Sequence, residues 1–322
     1  MKAETVEDLK MFVELDDIAC HEPVDLSARV EIFEKGTAPS GEPYLRLRLY
    51  DSSGWVGAFA RCGDWAGHGL VDGQLRDLSL HTADTPKGQR VLVAHPDYGQ
   101  PPCERDALDL LPAHRAPNPE DLGRLIDLVE GLETEGYRAF VRDVFSDPDF
   151  AISFVTGTAS GRCHHAERGG LLNHSLEVAE AVSVATERMS VATCIREAGI
   201  LLALFHDVGK CAVPDAHRIP EKRHERLIEY HLQEPMAALR KRDRDAHDAL
   251  WLTIAAYRSG ETYGAPMAAL VQGLDQCSAQ ADVAQRTLRA GRKGYWHRFC
   301  GGRPVWMPPR DPERPAGWLG ST

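Results

Sequence analysis

Two hydrophobic periods divide this chain, and they meet in a proline-rich stretch. From about Met11 to His95 the apolar residues alternate: Leu26, Ala28, Val30 and Ile32, then Leu45, Leu47 and Leu49, then Val91 and Val93. Turn-forming runs at 35–41, 51–54 and 84–88 separate them. Period two between turn signals predicts half-buried antiparallel strands, and about five or six of them suit a small barrel or sandwich. From about Glu120 to Ala290 the period is helical. Asn118-Pro-Glu-Asp-Leu supplies a cap and an early proline, and Leu122, Leu125, Ile126 and Val129 form the first apolar stripe. Further helices are predicted over 170–189, 191–206, 221–241, 244–257 and 266–290. Between the two textures the prolines of 96–121 break both kinds of ladder. The reading is α+β with two domains: a small N-terminal antiparallel β-barrel at 1–95, a proline-rich linker at 96–120, an all-α domain at 121–290, and a basic, proline-rich, loosely packed tail at 291–322.

Composition removes several classes. A chain of 322 residues, 43% hydrophobic and 26% charged, is long enough for two cores and is not composed like a disordered protein. Its longest apolar run, Ala198 to Phe205, is far short of the ~20 residues that cross a bilayer. The start, Met1-Lys-Ala-Glu-Thr-Val-Glu-Asp, carries acids where a signal peptide carries an apolar stretch, so the expectation is a cytoplasmic protein with no membrane partner. The 8 cysteines are scattered singly with no C-x-x-C pair, which reads as free thiols rather than a zinc ribbon or a disulfide framework. A net charge of -11 argues against coating DNA non-specifically, but binding follows the local field and leaves room for a basic groove.

The chemistry-bearing residues lie at helix ends. His164-His-Ala-Glu-Arg-Gly-Gly-Leu-Leu-Asn-His174 leads into one predicted helix, and His206-Asp207-Val-Gly-Lys210 closes the next. Helices joined by a short break run antiparallel. About 14 to 16 residues each way, at ~1.5 Å per residue, give legs of about 20 to 24 Å that nearly cancel. His174 should therefore meet His206 and Asp207. The helix ending at His206 is apolar almost all round, as a buried central helix is. A His-Asp pair at its end is costly unless satisfied, and imidazole with carboxylate suits a divalent first-row metal. The alternative is a helix cap with an internal hydrogen bond. The chain offers a comparison in His247-Asp248, which lies in a charged stretch and reads as solvent-facing.

These residues resemble the HD-domain metal-dependent phosphohydrolases, whose pattern is a first His, then His-Asp, then a distant Asp on a later helix. The resemblance assigns the last ligand to Asp275 in Val271-Gln-Gly-Leu-Asp-Gln-Cys-Ser278. Within that superfamily the chain is most similar to YhaM-like 3'-5' exoribonucleases, in which a small OB-fold precedes the HD domain. Gly41–Gly54 looks like their OB-fold hairpin, and 164–174 and Tyr263-Gly-Ala-Pro266 are also similar. Two-metal members carry further histidines. One matches His231, with His224 as the competing choice, while the other position holds Tyr257, in Tyr257-Arg-Ser-Gly260, which leaves one ion or two open. The phrase His-His-Ala-Glu-Arg-Gly-Gly-Leu-Leu is also similar to the HD-type domain of MobH (TraI-domain) relaxases.

The resemblance implies a metal-dependent phosphodiesterase, a 3'-5' exonuclease on single-stranded RNA or DNA. It implies a divalent ion, Mn2+ first, with Mg2+, Fe2+ or Ni2+ as alternatives, on His174, His206, Asp207, Asp275 and His231. Lys210 could neutralise charge on phosphoryl oxygens or simply pair with an acid. His164 or His165 is a candidate phosphate contact or general acid, and Arg168 a candidate phosphate clamp through its bidentate fork. Candidates for stacking and cationic contact with single strands are Tyr44, Arg46, Arg48, Trp55, Phe59 and Arg61, and in the tail Arg292, Lys293 and Trp296. A solvated sheet face is the plain alternative for the first set. Other readings are a small-nucleotide phosphohydrolase whose first domain mediates assembly, including homo-oligomers, and a relaxase-related binding protein with a weakened metal site.

Overall fold

The alternating segments form five strands: β1 (Val24–Thr37), β2 (Pro43–Asp51), β3 (Gly54–Arg61), β4 (Leu75–Asp84) and β5 (Arg90–Pro96). The structure, a computed structural model, describes residues 23–38, 40–65, 69–84, 90–96, 105–160, 165–211, 221–289, 295–299 and 303–307. Its chain divides into two units, 1–131 with 138–155 and 132–137 with 156–322.

In the first unit the strands close into a barrel of order β1-β2-β3-β5-β4, with β4 pairing back to β1. All pairs are antiparallel except β3 with β5. One side of each strand fills the interior: Ala28 and Val30, Leu47 and Leu49, Val56, Ala58 and Ala60, Leu78 and Leu80, Leu92 and Ala94. Burying a leucine of this kind stabilises by ~2 kcal/mol. Trp65 adds to this core and donates its indole N–H to the Ala94 carbonyl (3.3 Å). On β5 the interior residues are Leu92 and Ala94, not the alternating pair Val91 and Val93. Val93 is buried as well, on the strand's other face, so the run is apolar on both sides and alternation does not reveal its register.

The described part of the expected linker packs onto the barrel rather than spacing it. Leu108, Leu110 and Leu111 are buried, and Arg105 donates to the Ser27 carbonyl (2.7 Å) and to Asp51 Oδ2 (3.2 Å). Helix α1 (Glu120–Glu130), most of α2 (Glu135–Phe145) and nearly all of α3 (Pro148–Thr156) belong to this unit too. Arg29, buried on the outer face of β1, donates to the carbonyls of Gly73 (3.0 Å) and Ser146 (2.9 Å).

A short 3-10 turn, Ala113–Arg115, places His114 Nε2 2.9 Å from Glu31 Oε2, with its ring centroid 4.5 Å from that of Tyr50. Burial, helped by the Arg48 guanidinium, lowers this imidazole from the ordinary 6.5 to about 4. It is therefore neutral at neutral pH and donates Nε2–H to Glu31. Unfolding restores the ordinary value, so the unfolded chain binds the extra proton first as pH falls. The stabilisation is complete above about 6.5 and is lost as pH drops to 4 and below, by at most ~3 kcal/mol. His114→Asn is expected to flatten that part of the stability profile, read from hydrogen exchange at barrel amides. An unaltered slope between pH 6.5 and 4 would exclude His114 as its source.

In the second unit the helical periods give α4 (Gly170–Thr186), α5 (Thr193–Phe205), α6 (Glu221–Arg242), α7 (Arg244–Ser259) and α8 (Pro266–Arg289). Their bounds lie within three residues of the sequence reading. Helix α5 is central: every residue from Glu197 to Phe205 is buried, and it packs against α4, α7 and α8. Gly199 permits the last contact, since a Cβ there would stand 2.9 Å from the Met267 side chain. Glu197, 1% exposed, is satisfied by the N–H groups of Glu133 (2.6 Å) and Thr134 (3.0 Å). Asp243 caps α7 by accepting from the Ala246 N–H, and Gly260 ends that helix in the left-handed region (φ 71). The tail differs from expectation by holding an antiparallel pair, β6 (Tyr295–Phe299) and β7 (Arg303–Met307). Among the described residues no helix is long and apolar enough to cross a membrane.

Candidate metal centre

His174 stands in the first turns of α4, and His206 and Asp207 follow the last turn of α5. The two helices pack together, and these ends meet. His174 Nε2 lies 3.8 Å from Asp207 Oδ2, and His206 Nε2 lies 3.6 Å from the same oxygen. Helix α8 brings Asp275, whose Oδ1 is 3.0 Å from His174 Nε2 and 3.6 Å from His206 Nε2. His174 Nε2, His206 Nε2 and Asp207 Oδ2 are therefore close enough together to hold one ion, and Asp275 Oδ1 stands beside both imidazoles.

Burial makes this costly without a shared partner. His174 is 0% exposed and His206 2%. His206 donates Nδ1–H to the Ala203 carbonyl (2.7 Å), which aims Nε2 at the two carboxylates, where it has no hydrogen-bond partner among the described residues. Burial would lower the His206 imidazole, but Asp207 and Asp275 outweigh it and raise it to about 9. At His174 burial prevails over the pull of Asp275, and its imidazole titrates below the ordinary value. Burial opposes ionisation of Asp207 as well, yet Lys210, His206 and His174 hold it below the usual carboxylate range. Asp275 is held low in the same way by His174 and His206. The donor types, two imidazoles and two ionised carboxylates, suit a divalent first-row ion, which would take the place of the His206 proton, and one ring nitrogen of each histidine is engaged behind the site.

Of the residues read from the sequence, His174, His206, Asp207 and Asp275 come together. Lys210, on the 3-10 turn Val208–Lys210, pairs with Asp207. Arg168 is exposed in the turn before α4. His165 is buried at 4%, in the left-handed region (φ 42), with its N–H donating to Asp282 Oδ2 (3.0 Å). Its ring centroid is 5.1 Å from that of His174, and its Nε2 is 3.4 Å from both Glu177 Oε2 and Ser278 Oγ. Among the described residues two groups could hold an ion, His174 with His206 and Asp207, and His165 with His174 and Glu177. Asp275, which reaches the centre beside the two imidazoles, and His231, half-buried on α6, are in neither. His164 lies outside the described residues, as does the side chain of His224. Tyr257 puts its ring centroid 6.2 Å from that of His206. The second pair, His247-Asp248, bonds internally (2.8 Å), and His247 is half-buried over Trp251 rather than fully solvent-facing.

Sequence reasoning missed Glu177, Ser278 and Asp282. A helical offset could have found two of them: Glu177 is three residues after His174 and Ser278 three after Asp275, each on the ligand's face of its helix.

On the barrel, Tyr44, Arg46, Arg48, Trp55, Phe59 and Arg61 share the outer face of β2 and β3. Arg46 lies over the rings of Phe33 (4.9 Å) and Phe59 (5.7 Å), and Arg48 over Trp55 (4.6 Å) and Phe33 (5.5 Å). Tyr44 and Phe59 are 5.7 Å apart. Each arginine is also paired, Arg46 with Glu34 (2.7 Å) and Arg48 with Glu31 (2.9 Å). The sequence reading had not placed Phe33, Glu31 or Glu34 there. Arg292 and Lys293 lie outside the described residues, and so does the side chain of Trp296, whose backbone is in β6.

Comparison of the chain with protein-family models, with curated proteins and with solved structures found no match.

Proposed function

We propose that this protein is a metal-dependent phosphodiesterase of the HD type, acting as a 3'-5' exonuclease on single-stranded RNA or DNA. The observation that carries the reading is the meeting of His174, His206, Asp207 and Asp275 at one buried point, in the chain order of the HD pattern. When bound, a divalent ion, Mn2+ first among the candidates, supplies Lewis acidity toward a phosphoryl oxygen and toward water. The residues of the chain do the rest. His174 and His206 present Nε2, while Asp207 and Asp275 supply negative charge. Lys210 sits on Asp207, where its ammonium offsets charge developing on phosphoryl oxygens. Tyr257 beside His206, at the position where two-metal relatives carry histidine, favours one ion.

The barrel is read as an OB-fold, which its strand order and parallel β3–β5 pair support. Its face of Phe33, Tyr44, Trp55 and Phe59 with interleaved arginines suits base stacking on single strands. One observation favours a second reading, a small-nucleotide phosphohydrolase: Glu34 and Glu31 already neutralise Arg46 and Arg48.

The test is nucleotide release from 5'-labelled and 3'-labelled single strands with Mn2+, Mg2+ or chelator. The expected result is stepwise loss from the 3' end that requires metal and disappears in His206→Ala and Asp207→Ala. Hydrolysis of free nucleotides alone would select the second reading, and no hydrolysis of either by the metal-loaded protein would overturn both.

A further inference from the structure

His174 reaches the centre through Nε2, and behind it a second set of groups competes for its ring proton. A neutral imidazole carries one such proton. If the proton is on Nε2, it is donated to Asp275 Oδ1 at 3.0 Å, and the nitrogen has no lone pair to give an ion. If it is on Nδ1, it is donated to Ser278 Oγ at 3.1 Å, and Nε2 is free to ligate. The balance between the two forms depends on what Ser278 does with its own hydroxyl proton.

Ser278 Oγ is 2.7 Å from Glu177 Oε2. A carboxylate only accepts, so the hydroxyl proton points at Glu177, and the oxygen turns its lone pairs toward His174 Nδ1. His165 Nε2, 3.4 Å from the same Glu177 oxygen, holds this carboxylate in place.

We infer that Glu177 and Ser278 form a relay that biases His174 toward the Nδ1–H tautomer against the competing bond from Nε2 to Asp275, and so act as positioning residues for the metal centre. This rests on the metal-site reading above and goes one layer beyond it. The role differs from packing: the Glu177 side chain is 43% exposed, and the contribution of Ser278 is one oriented lone pair. Outer-shell partners of ligating histidines typically alter metal affinity 10- to 100-fold.

The experiment uses the full chain and two readouts. Calorimetry with Mn2+ gives the affinity, and 15N spectra of histidine-labelled, metal-free protein report which ring nitrogen of His174 carries the proton. Ser278→Ala and Glu177→Gln are expected to weaken Mn2+ binding 10- to 100-fold and to shift the His174 proton from Nδ1 toward Nε2. Ser278→Thr, which keeps the hydroxyl, is expected to restore both. Equal tautomer populations in wild type and Ser278→Ala, or equal Mn2+ affinity, would overturn the relay. If the wild type binds no divalent ion, the metal reading fails while the tautomer comparison still judges the relay. Glu177→Gln guards against misfolding of the serine variant, because its side chain is partly exposed and the change keeps its size.

Discussion

Asp275→Asn is expected to weaken divalent-ion binding at least 100-fold, while Asp248→Asn leaves it unchanged. In the metal-free centre the charges nearly cancel: Lys210 and His206, the latter raised to about 9, face Asp207 and Asp275, while His174 titrates low. A divalent ion bound here would take the place of the His206 proton and leave the centre one charge more positive. Asn at 275 removes the carboxylate that makes this tolerable and puts an amide in its place. Two unit charges ~4 Å apart interact by about 4 kcal/mol at an effective dielectric of 20, and the ion carries two. That exceeds the ~2.7 kcal/mol of a 100-fold change. The control is instructive because His247-Asp248 is the same dipeptide, and among the described residues it belongs to no group of donors that could hold an ion. Calorimetric titration with Mn2+ decides the matter: equal affinity in Asp275→Asn would remove that residue from the centre.

The parts of the site that were legible in the sequence are those set by helix geometry. Two helices of similar length joined by a short break must bring the start of one beside the end of the other, which placed His174 against His206 and Asp207. Asp275 was not derivable that way, because nothing in spacing tells which face of a distant helix turns inward; only the resemblance to HD proteins singled it out. Ser278 and Glu177 were legible once a ligand on each helix was chosen, since residues three apart lie on one face. His165 reads from the sequence as a phosphate contact, a general acid or an ordinary surface residue; the structure buries it beside His174. Its positive φ and its N–H bond to Asp282 are properties of a turn that no periodicity reports.

On the barrel the failures follow from strand pairing. Arg46 and Arg48 were recognisable as outward because they alternate with Leu45, Leu47 and Leu49. Their partners Glu34 and Glu31 sit on another strand, across a register shift between Ile32 and Glu34. Alternation fixes a face, but only the pairing register fixes a neighbour. The prolines of 96–120 were read as a spacer because they break ladders. Leu108, Leu110 and Leu111 within that stretch carry enough apolar surface to hold it against a core without regular structure.

Gly170→Ala is expected to destabilise the helical unit by about 2–3 kcal/mol and to weaken divalent-ion binding by more than 10-fold. Gly170 opens α4 immediately after Gly169, which is in the left-handed region (φ 81). An added Cβ would overlap the His165 carbonyl oxygen. That obstacle is backbone, so no rotamer change relieves it. The His165 carbonyl also accepts from the Ala159 N–H (3.0 Å), and the His165 N–H is held by Asp282. Moving the turn therefore loosens two hydrogen bonds as well as overpacking the helix start. The same shift carries the His165 ring away from Glu177 and tilts the first turn of α4, where His174 sits, so affinity falls with stability. Gly273→Ala separates this steric effect from the general preference of helices for alanine. It lies within α8, two residues before Asp275, with nothing within 4 Å of its added methyl. It is expected to stabilise by about 0.5–1 kcal/mol and to leave Mn2+ affinity unchanged. Thermal denaturation of both variants, paired with Mn2+ titration, reads the two effects together. A Gly170→Ala protein with wild-type melting and affinity would mean that the turn carrying His165 is not packed against the start of α4.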